Sequence, residues 1–382
     1  MKLSSFLKPM MMLCFLPMLF ISASVTGVAS AAPLACSWKI VSSPNPGFPD
    51  GLGSVAAVSA TDAWAVGSSG RQSGSGQPII EQWNGTQWSA VSSPSTGTLY
   101  STLTSVAVVS ANDIWAVGWE GVNGIAETLT EHWDGTQWNI VSSPDPGSAG
   151  NEFFSVAVVS TNDVWAVGNS QSTTTIGGVE QTLVEHWNGT QWSVVSSPNP
   201  VPQVSALTGV AAVSSSDVLA VGFYVGSNGI WDTLTEQWNG TQWSVVSSPS
   251  PGTQINYLAS VAATSANDAW AVGYADSQTL TEHWNGTQWS VVSSSGPGPV
   301  SNSLLGVAEI STSNVWAVGY YQTSDFVAHT LTEHWNGKQW HVVKSPSPGT
   351  NSAQFEGVAA TSPTDVWAVG HSDSTTLVEH YC

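Results

Sequence analysis

Glu131-His132 sets a carboxylate beside an imidazole, a pair suited to general acid–base work or to metal ligation. It recurs as Glu185-His186, Glu282-His283, Glu333-His334 and Glu379-His380, and with glutamine second as Glu81-Gln82 and Glu236-Gln237. An active site needs one constellation unlike the rest, not seven copies of one arrangement. Neighbours along a strand also point to opposite faces, so the two groups of a pair cannot converge on one substrate atom. The pairs are expected to be structural, bonding between repeats. No close Cys/His cluster, calcium-type acidic loop, phosphate loop or nucleophile motif is present, so neither metal nor cofactor is expected. Arg71 is the chain's one arginine, which excludes sites built from arginine clusters.

Aromatic residues offer a second chemistry. Of 21 tryptophans, all but Trp119 and Trp231 fall into three repeated slots, where large rings serve packing. Those two lie in variable segments together with Phe223, Tyr224, Tyr274, Tyr320 and Tyr321. Ring faces there, beside Asn228, Asp276, Asp325 or Asp373, suit the C–H faces and hydroxyls of sugar rings. These seven aromatics are the candidate ligand-binding residues.

The elements that must position them repeat with a period near fifty. Trp-Ala-Val-Gly begins at Trp64, Trp115, Trp165, Trp270, Trp316 and Trp367, with Leu219 in the seventh place, and successive copies stand 46 to 54 residues apart. Such a period marks a propeller or solenoid. In the unit from Leu103 to Gly147, Ser105–Ser110 reads as a buried strand and Ile114–Gly118 as the second. Thr128–Trp133 reads as the third, Asp134-Gly135 as a type I′ turn, and Thr136–Ser143 as the fourth, ended by prolines. Four antiparallel strands without helical periodicity make one propeller blade. The sequons at Asn84, Asn188, Asn239 and Asn285 fall on these hairpin turns, where turn geometry accounts for them.

The ends set the blade count. Residues 376–382 read as a third strand that stops where Asn-Gly belongs, and residues 36–44 read as the missing fourth strand. Six whole blades and two complementary fragments give an all-β, seven-bladed β-propeller over residues 32–382. Its N-terminal strand closes the ring by completing the C-terminal blade. Cys36 and Cys382 then flank one tight turn and are expected to form a disulfide.

The run Val156-Ala157-Val158-Val159-Ser160, Val164-Trp165-Ala166-Val167-Gly168, Glu185-His186-Trp187-Asn188-Gly189, Trp192-Ser193-Val194-Val195 and Pro198 resembles a kelch repeat. The resemblance extends over residues 36–382 and departs from the family in lacking its double glycine. It implies four-stranded blades and carries no particular activity, because propellers host many.

Residues 1–31 read as a secretory signal peptide: Lys2 and Lys8, an apolar run from Pro9 to about Ala23, and Ala29-Ser30-Ala31 for cleavage. No other apolar run reaches the ~20 residues of a membrane-spanning helix, so no membrane insertion is expected. Beyond the signal, four basic residues face 26 acidic ones, a surface that repels nucleic acid and anionic lipid. The expectation is a secreted, monomeric, non-enzymatic binding protein whose partner is a glycan, or else an extracellular or cell-envelope protein.

Overall fold

Small and β-branched residues alternate along segments such as Ser101–Ser110, a pattern that fits a pleated, packed surface better than a helix. The computed structural model describes residues 36–48, 50–70, 76–172 and 178–382, which form 28 strands and no helix. The signal-peptide assignment lies outside the described residues. Blade 2 shows the common plan: Ser101–Ser110 innermost, then Asp113–Val122 and Ile125–Trp133, with Trp138–Ile140 outermost, all antiparallel.

Seven such blades stand around one axis. Their inner strands are Asp50–Ser59, Ser101–Ser110, Gly150–Ser160, Val204–Ser214, Asn256–Ser265, Ser301–Ser311 and Ala353–Ser362. Each lies against the next and the last lies against the first, so the ring is closed. Trp38–Ile40 supplies the outer strand of the seventh blade, with Trp38 opposite Tyr381 and Ile40 opposite Glu379. Cys36 and Cys382 are disulfide-bonded beside this pairing, with their Cα atoms 4.6 Å apart. Closure leaves no inner edge open, and outer edges of three or four residues are too short to template aggregation.

Two local expectations need correction. The fourth strand of blade 2 spans Trp138–Ile140, not Thr136–Ser143, because the chain leaves this outermost ladder early to travel back to the axis. The hairpin before it is a four-residue loop rather than a type I′ turn. Gly135 has φ +91° while Asp134 does not have positive φ. The Asp134 carboxylate instead accepts hydrogen bonds from the amides of Thr136 and Gln137 and from the Thr136 hydroxyl. Asn84, Asn188, Asn239 and Asn285 do the same in their blades, which is the turn role expected of them.

The core lies between blades. Trp115 of blade 2 is fully buried and packs on Trp187 (4.9 Å) and edge-on to Trp192 (5.3 Å, 86°) of blade 3. Equivalent trios form around Trp64, Trp165, Trp270 and Trp367, and Tyr381 with Trp38 completes the one around Trp316. Where Leu219 replaces the tryptophan, Trp284 of the next blade is 4% exposed, deeper than its half-buried counterparts, and takes up the vacated space. The glycine ending each Trp-Ala-Val-Gly is compulsory: a Cβ on Gly168 would stand 1.8 Å from the Glu152 carbonyl oxygen.

Candidate functional site

Every inner strand carries the same irregularity, and it builds the channel. The register against the second strand slips by one residue between Leu52 and Ser54, and likewise at the equivalent point of the other six blades. The extra residue of each bulge is freed from the ladder and lines the axial channel. These residues are Gly53, Thr104, Phe154, Thr208, Ala259, Leu305 and Glu356, around a cavity of about 140 Å³. Adjacent serines and threonines stitch the ring from blade to blade. Thr104 donates to the Phe153 carbonyl (2.8 Å) and Thr208 to that of Leu258 (2.6 Å), while Ser54 and Ser105 accept from the amides of Val106 and Val156. Six of the seven bulge residues are uncharged. Glu356 is the exception.

Above the channel, on the face of the loops joining second to third strands, the cavity widens to about 500 Å³. Phe154, Thr208, Ala259, Leu305 and Glu356 are common to both spaces. One wall of the mouth is a continuous aromatic file across blades 4 and 5. Trp231 stacks on Phe223 (4.5 Å, 8°), Phe223 on Tyr257 (5.2 Å, 32°) and Tyr257 on Tyr274 (5.2 Å, 21°). Strand geometry places them together, because all four sit at the same ends of paired strands, with Tyr257 directly opposite Tyr274.

Polar groups complete the mouth. Glu356 faces it with a side chain 30% exposed, accepts a hydrogen bond from Gln354 (2.5 Å), and lies 3.8 Å from His371. Asn169 is 6% exposed, and its carbonyl oxygen has no hydrogen-bond partner among the described residues. No lysine or arginine lines the mouth. Burial, with Tyr274 and Glu356 nearby, pushes the Tyr257 hydroxyl far above the usual phenol range, and burial and Tyr320 raise that of Tyr274. Both phenols therefore remain protonated at neutral pH and are unfit to serve as bases there.

Three of the seven sequence candidates, Phe223, Trp231 and Tyr274, thus share one cavity, and Tyr320 adjoins it through Tyr274. The other three do not. Trp119 stacks on Tyr100 in blade 2 (4.8 Å, 27°). Tyr224 follows Phe223 on the strand, so it points to the opposite blade face, packing against the core beside Asp232. Tyr321 for the same reason turns from Tyr320, stacking on His329 (5.3 Å) and packing on the blade 5–6 core.

The polar partners proposed for sugar hydroxyls are committed elsewhere. Asp276, at φ +51°, accepts from the amides of Thr253, Gln254 and Ile255, pinning one loop to another, and these bonds hold its pKa down at about 2. Asp373 does the same with Thr350, Asn351 and Ser352. Asn228 accepts from the Ile230 amide, and Asp325 from the Thr323 hydroxyl. Sequence reading also missed Tyr257, Asn169 and Glu356. The signal for Glu356 was present: it is the charged residue in a repeat slot otherwise filled by Gly, Thr, Phe, Ala and Leu.

The repeated Glu-His pairs divide as strand alternation requires. All seven glutamates are fully buried. Glu131 accepts an inter-blade hydrogen bond from Ser93 (2.8 Å), and burial raises its pKa to about 7. Burial raises that of Glu185 to about 9. The histidines, by contrast, bond within their own blade. His132 pairs with Asp113 (2.8 Å) and stacks on Trp115 (4.4 Å), and His186, His283 and His380 repeat this arrangement. His334 uses Asn314, and Gln82 and Gln237 bond to Asp62 and Asp217 in the same way. The expectation of bonding between blades thus holds at Glu131 and is corrected for the histidines, whose partner lies on the adjacent strand of the same sheet. No group of three or more His, Cys, Asp or Glu residues able to hold a metal occurs among the described residues.

No family model matches the chain, and no curated protein does. Solved structures do. The chain is similar to U3-55K (TM-score 0.59, 11% identity, covering 90% of this chain and 98% of that one). It is similar to YCF48 bound to a D1 peptide (0.56, 14%, 90% and 95%). A polysaccharide lyase of family PL25, an ulvan lyase bound to -[GlcA(1-4)Rha3S]-, is a third (0.53, 11%, 88% and 95%). The likeness is one of fold. It is a likeness to β-propellers of several kinds, and it does not single out the kelch-like kind.

Proposed function

We propose that this protein is a secreted, non-enzymatic binding protein that takes a carbohydrate in the mouth of its channel. The observation that carries this reading is the 500 Å³ cavity walled by Trp231, Phe223, Tyr257 and Tyr274, with Glu356 and Asn169 as its polar groups. An apolar wall with a few oriented polar groups is the usual make-up of a small-ligand site. Sugar rings match it, presenting C–H faces to aromatic carbon and hydroxyls to carboxylate and amide. Two protonated phenols beside the carboxylate supply hydrogen-bonding groups for recognition. The signal-peptide reading and the Cys36–Cys382 disulfide suit an oxidising compartment outside the cell. The acidic surface argues against nucleic acid and anionic membranes. No helix among the described residues is long and apolar enough to cross a membrane.

The alternative is an extracellular or cell-envelope scaffold that holds a polypeptide in the same mouth. The YCF48 likeness, a propeller with a bound peptide, favours that class. A glycan array probed with the purified protein tests the choice, with Trp231→Ala and Trp119→Ala variants alongside. Saturable glycan binding lost in Trp231→Ala and kept in Trp119→Ala supports the carbohydrate reading. An array silent for the wild type overturns it.

A further inference from the structure

A second set of cavities lies away from the mouth, on the flanks of the ring toward the tight-turn face. One, of about 470 Å³, opens between blades 2 and 3, where Val141, Ser142 and Pro144 face Trp187, Gln191 and Trp192. Another, of about 420 Å³, opens between blades 3 and 4 at the equivalent residues, among them Ser196, Pro198, Trp238 and Gln242. Their sizes agree because the same strand tail packs against the same hairpin at each boundary.

Some residues of these clefts are explained by the fold and some are not. The hairpin needs Asn188 for its cap and Gly189 for φ +90°, and Thr190 donates to Asn188. Ser143 and Ser197 bond to Thr128 and Thr182. Gln191, Ser142 and Ser196 are exposed, and none makes a side-chain hydrogen bond among the described residues. A glutamine stands at Gln87, Gln137, Gln191, Gln242 and Gln288, exposed each time. Gln137, Gln242 and Gln288 donate to the side chain two residues on, while Gln87 and Gln191 make no side-chain hydrogen bond among the described residues. The facing exposed serine recurs at Ser42, Ser92, Ser142, Ser196 and Ser247. Five boundaries therefore carry one set of groups: indole and proline as apolar surface, an exposed hydroxyl, and an exposed primary amide. The carbonyl oxygen of that amide accepts no hydrogen bond among the described residues, even where its nitrogen donates along the strand. The remaining two depart from it, one with Lys338 and Ser295, the other with Lys344 and the disulfide.

We infer that these five boundaries hold equivalent, weak binding sites for neutral sugar units, of the kind seen in the two clefts, and that the ring engages a neutral polysaccharide through several at once. The chemical class follows from the lining. No charged side chain lines either cleft, so anionic and cationic ligands find no counter-charge. An exposed amide and hydroxyl beside an indole match vicinal hydroxyls over a C–H face. Equivalent sites on one rigid frame convert weak single contacts into avidity, by factors of roughly 10² to 10⁴. This inference stands apart from the mouth, which it neither uses nor requires.

Affinity electrophoresis through gels containing laminarin, yeast mannan or arabinan, with alginate as an anionic control, provides the test. Ser142→Glu places a hydrated carboxylate in one cleft at an exposed position. A fivefold variant does so at Ser42, Ser92, Ser142, Ser196 and Ser247, with its fold checked by circular dichroism. The expected result is retardation of the wild type by at least one neutral polymer. Single substitution should weaken it about 2- to 5-fold and the fivefold variant at least 100-fold, whereas Trp119→Ala, outside both mouth and clefts, should not weaken it. The inference is overturned if no neutral polymer retards the wild type, if the folded fivefold variant binds as the wild type does, or if alginate retards it equally. Loss of binding in Trp231→Ala alone also overturns it, and assigns the polysaccharide to the mouth instead.

Discussion

Phe223 and Trp231 lie on adjacent strands of blade 4, diagonal to one another, with ring planes 8° apart and centroids at 4.5 Å. The buried ring orients the more exposed one. Phe223→Ala should therefore disturb ligand binding both by removing part of the wall and by releasing Trp231, and should cost about 3 kcal/mol of stability as a large-to-small core change. Trp231→Ala should cost about 1 kcal/mol or less while weakening binding at least tenfold, about 1.4 kcal/mol. Denaturant unfolding beside binding isotherms separates the two effects.

Strand count, blade boundaries and ring closure were legible because each rests on local pattern: Trp-Ala-Val-Gly, the Asn-Gly hairpin and the complementary ends. The site was half legible. Aromatics in variable segments announce themselves, but whether Tyr224 or Phe223 faces the mouth depends on register, and a one-residue slip exchanges the two faces. Glu356 stands out in the sequence as the charged residue of its slot, but that the slot faces the channel depends on the bulge, which is set by packing between neighbouring inner strands. The aspartates Asp276 and Asp373 misled because their use is non-local, joining loops more than twenty residues apart in sequence.

Stability should fall as pH rises through the neutral range. Burial raises the pKa values of the seven repeated glutamates from an ordinary 4.5 to between about 7 and about 9. A group raised on folding contributes its full stability below its unfolded pKa and loses it as pH climbs through the folded value. Chemical denaturation should accordingly show a higher midpoint at pH 5 than at pH 9, and Glu185→Gln should flatten part of that slope. A midpoint that rises toward pH 9 contradicts the assignment.

The acid limb has a different origin. Backbone amides hold Asp276 and Asp373 down at about 2, so their contribution is present above an ordinary 3.8 and disappears as pH falls toward 2. Asp276→Ala should free the 251–255 connection, seen as faster amide exchange there and as earlier loss of the thermal transition. Unchanged exchange in that segment would show that the carboxylate does not hold the loop.

The Cys36–Cys382 bond encloses nearly the whole ring, with a sequence separation of 346 residues. Chain-entropy reasoning gives such a loop roughly 3–5 kcal/mol of stabilisation. The Cys36→Ser/Cys382→Ser variant should lose about that much in equilibrium unfolding. Dithiothreitol should lower the wild-type midpoint toward that of the variant and leave the variant unmoved.

The closing hairpin also decides how the molecule can be presented. Cys36 and Cys382 occupy the position that an Asn-Gly turn fills in other blades, so both lie at the tight-turn end, opposite the aromatic mouth. A tether attached past Cys382 would leave the mouth pointing away from any support. Surface-immobilised protein should keep the capacity of the mouth for ligand, whereas a bulky fusion at that end would crowd the flank clefts first.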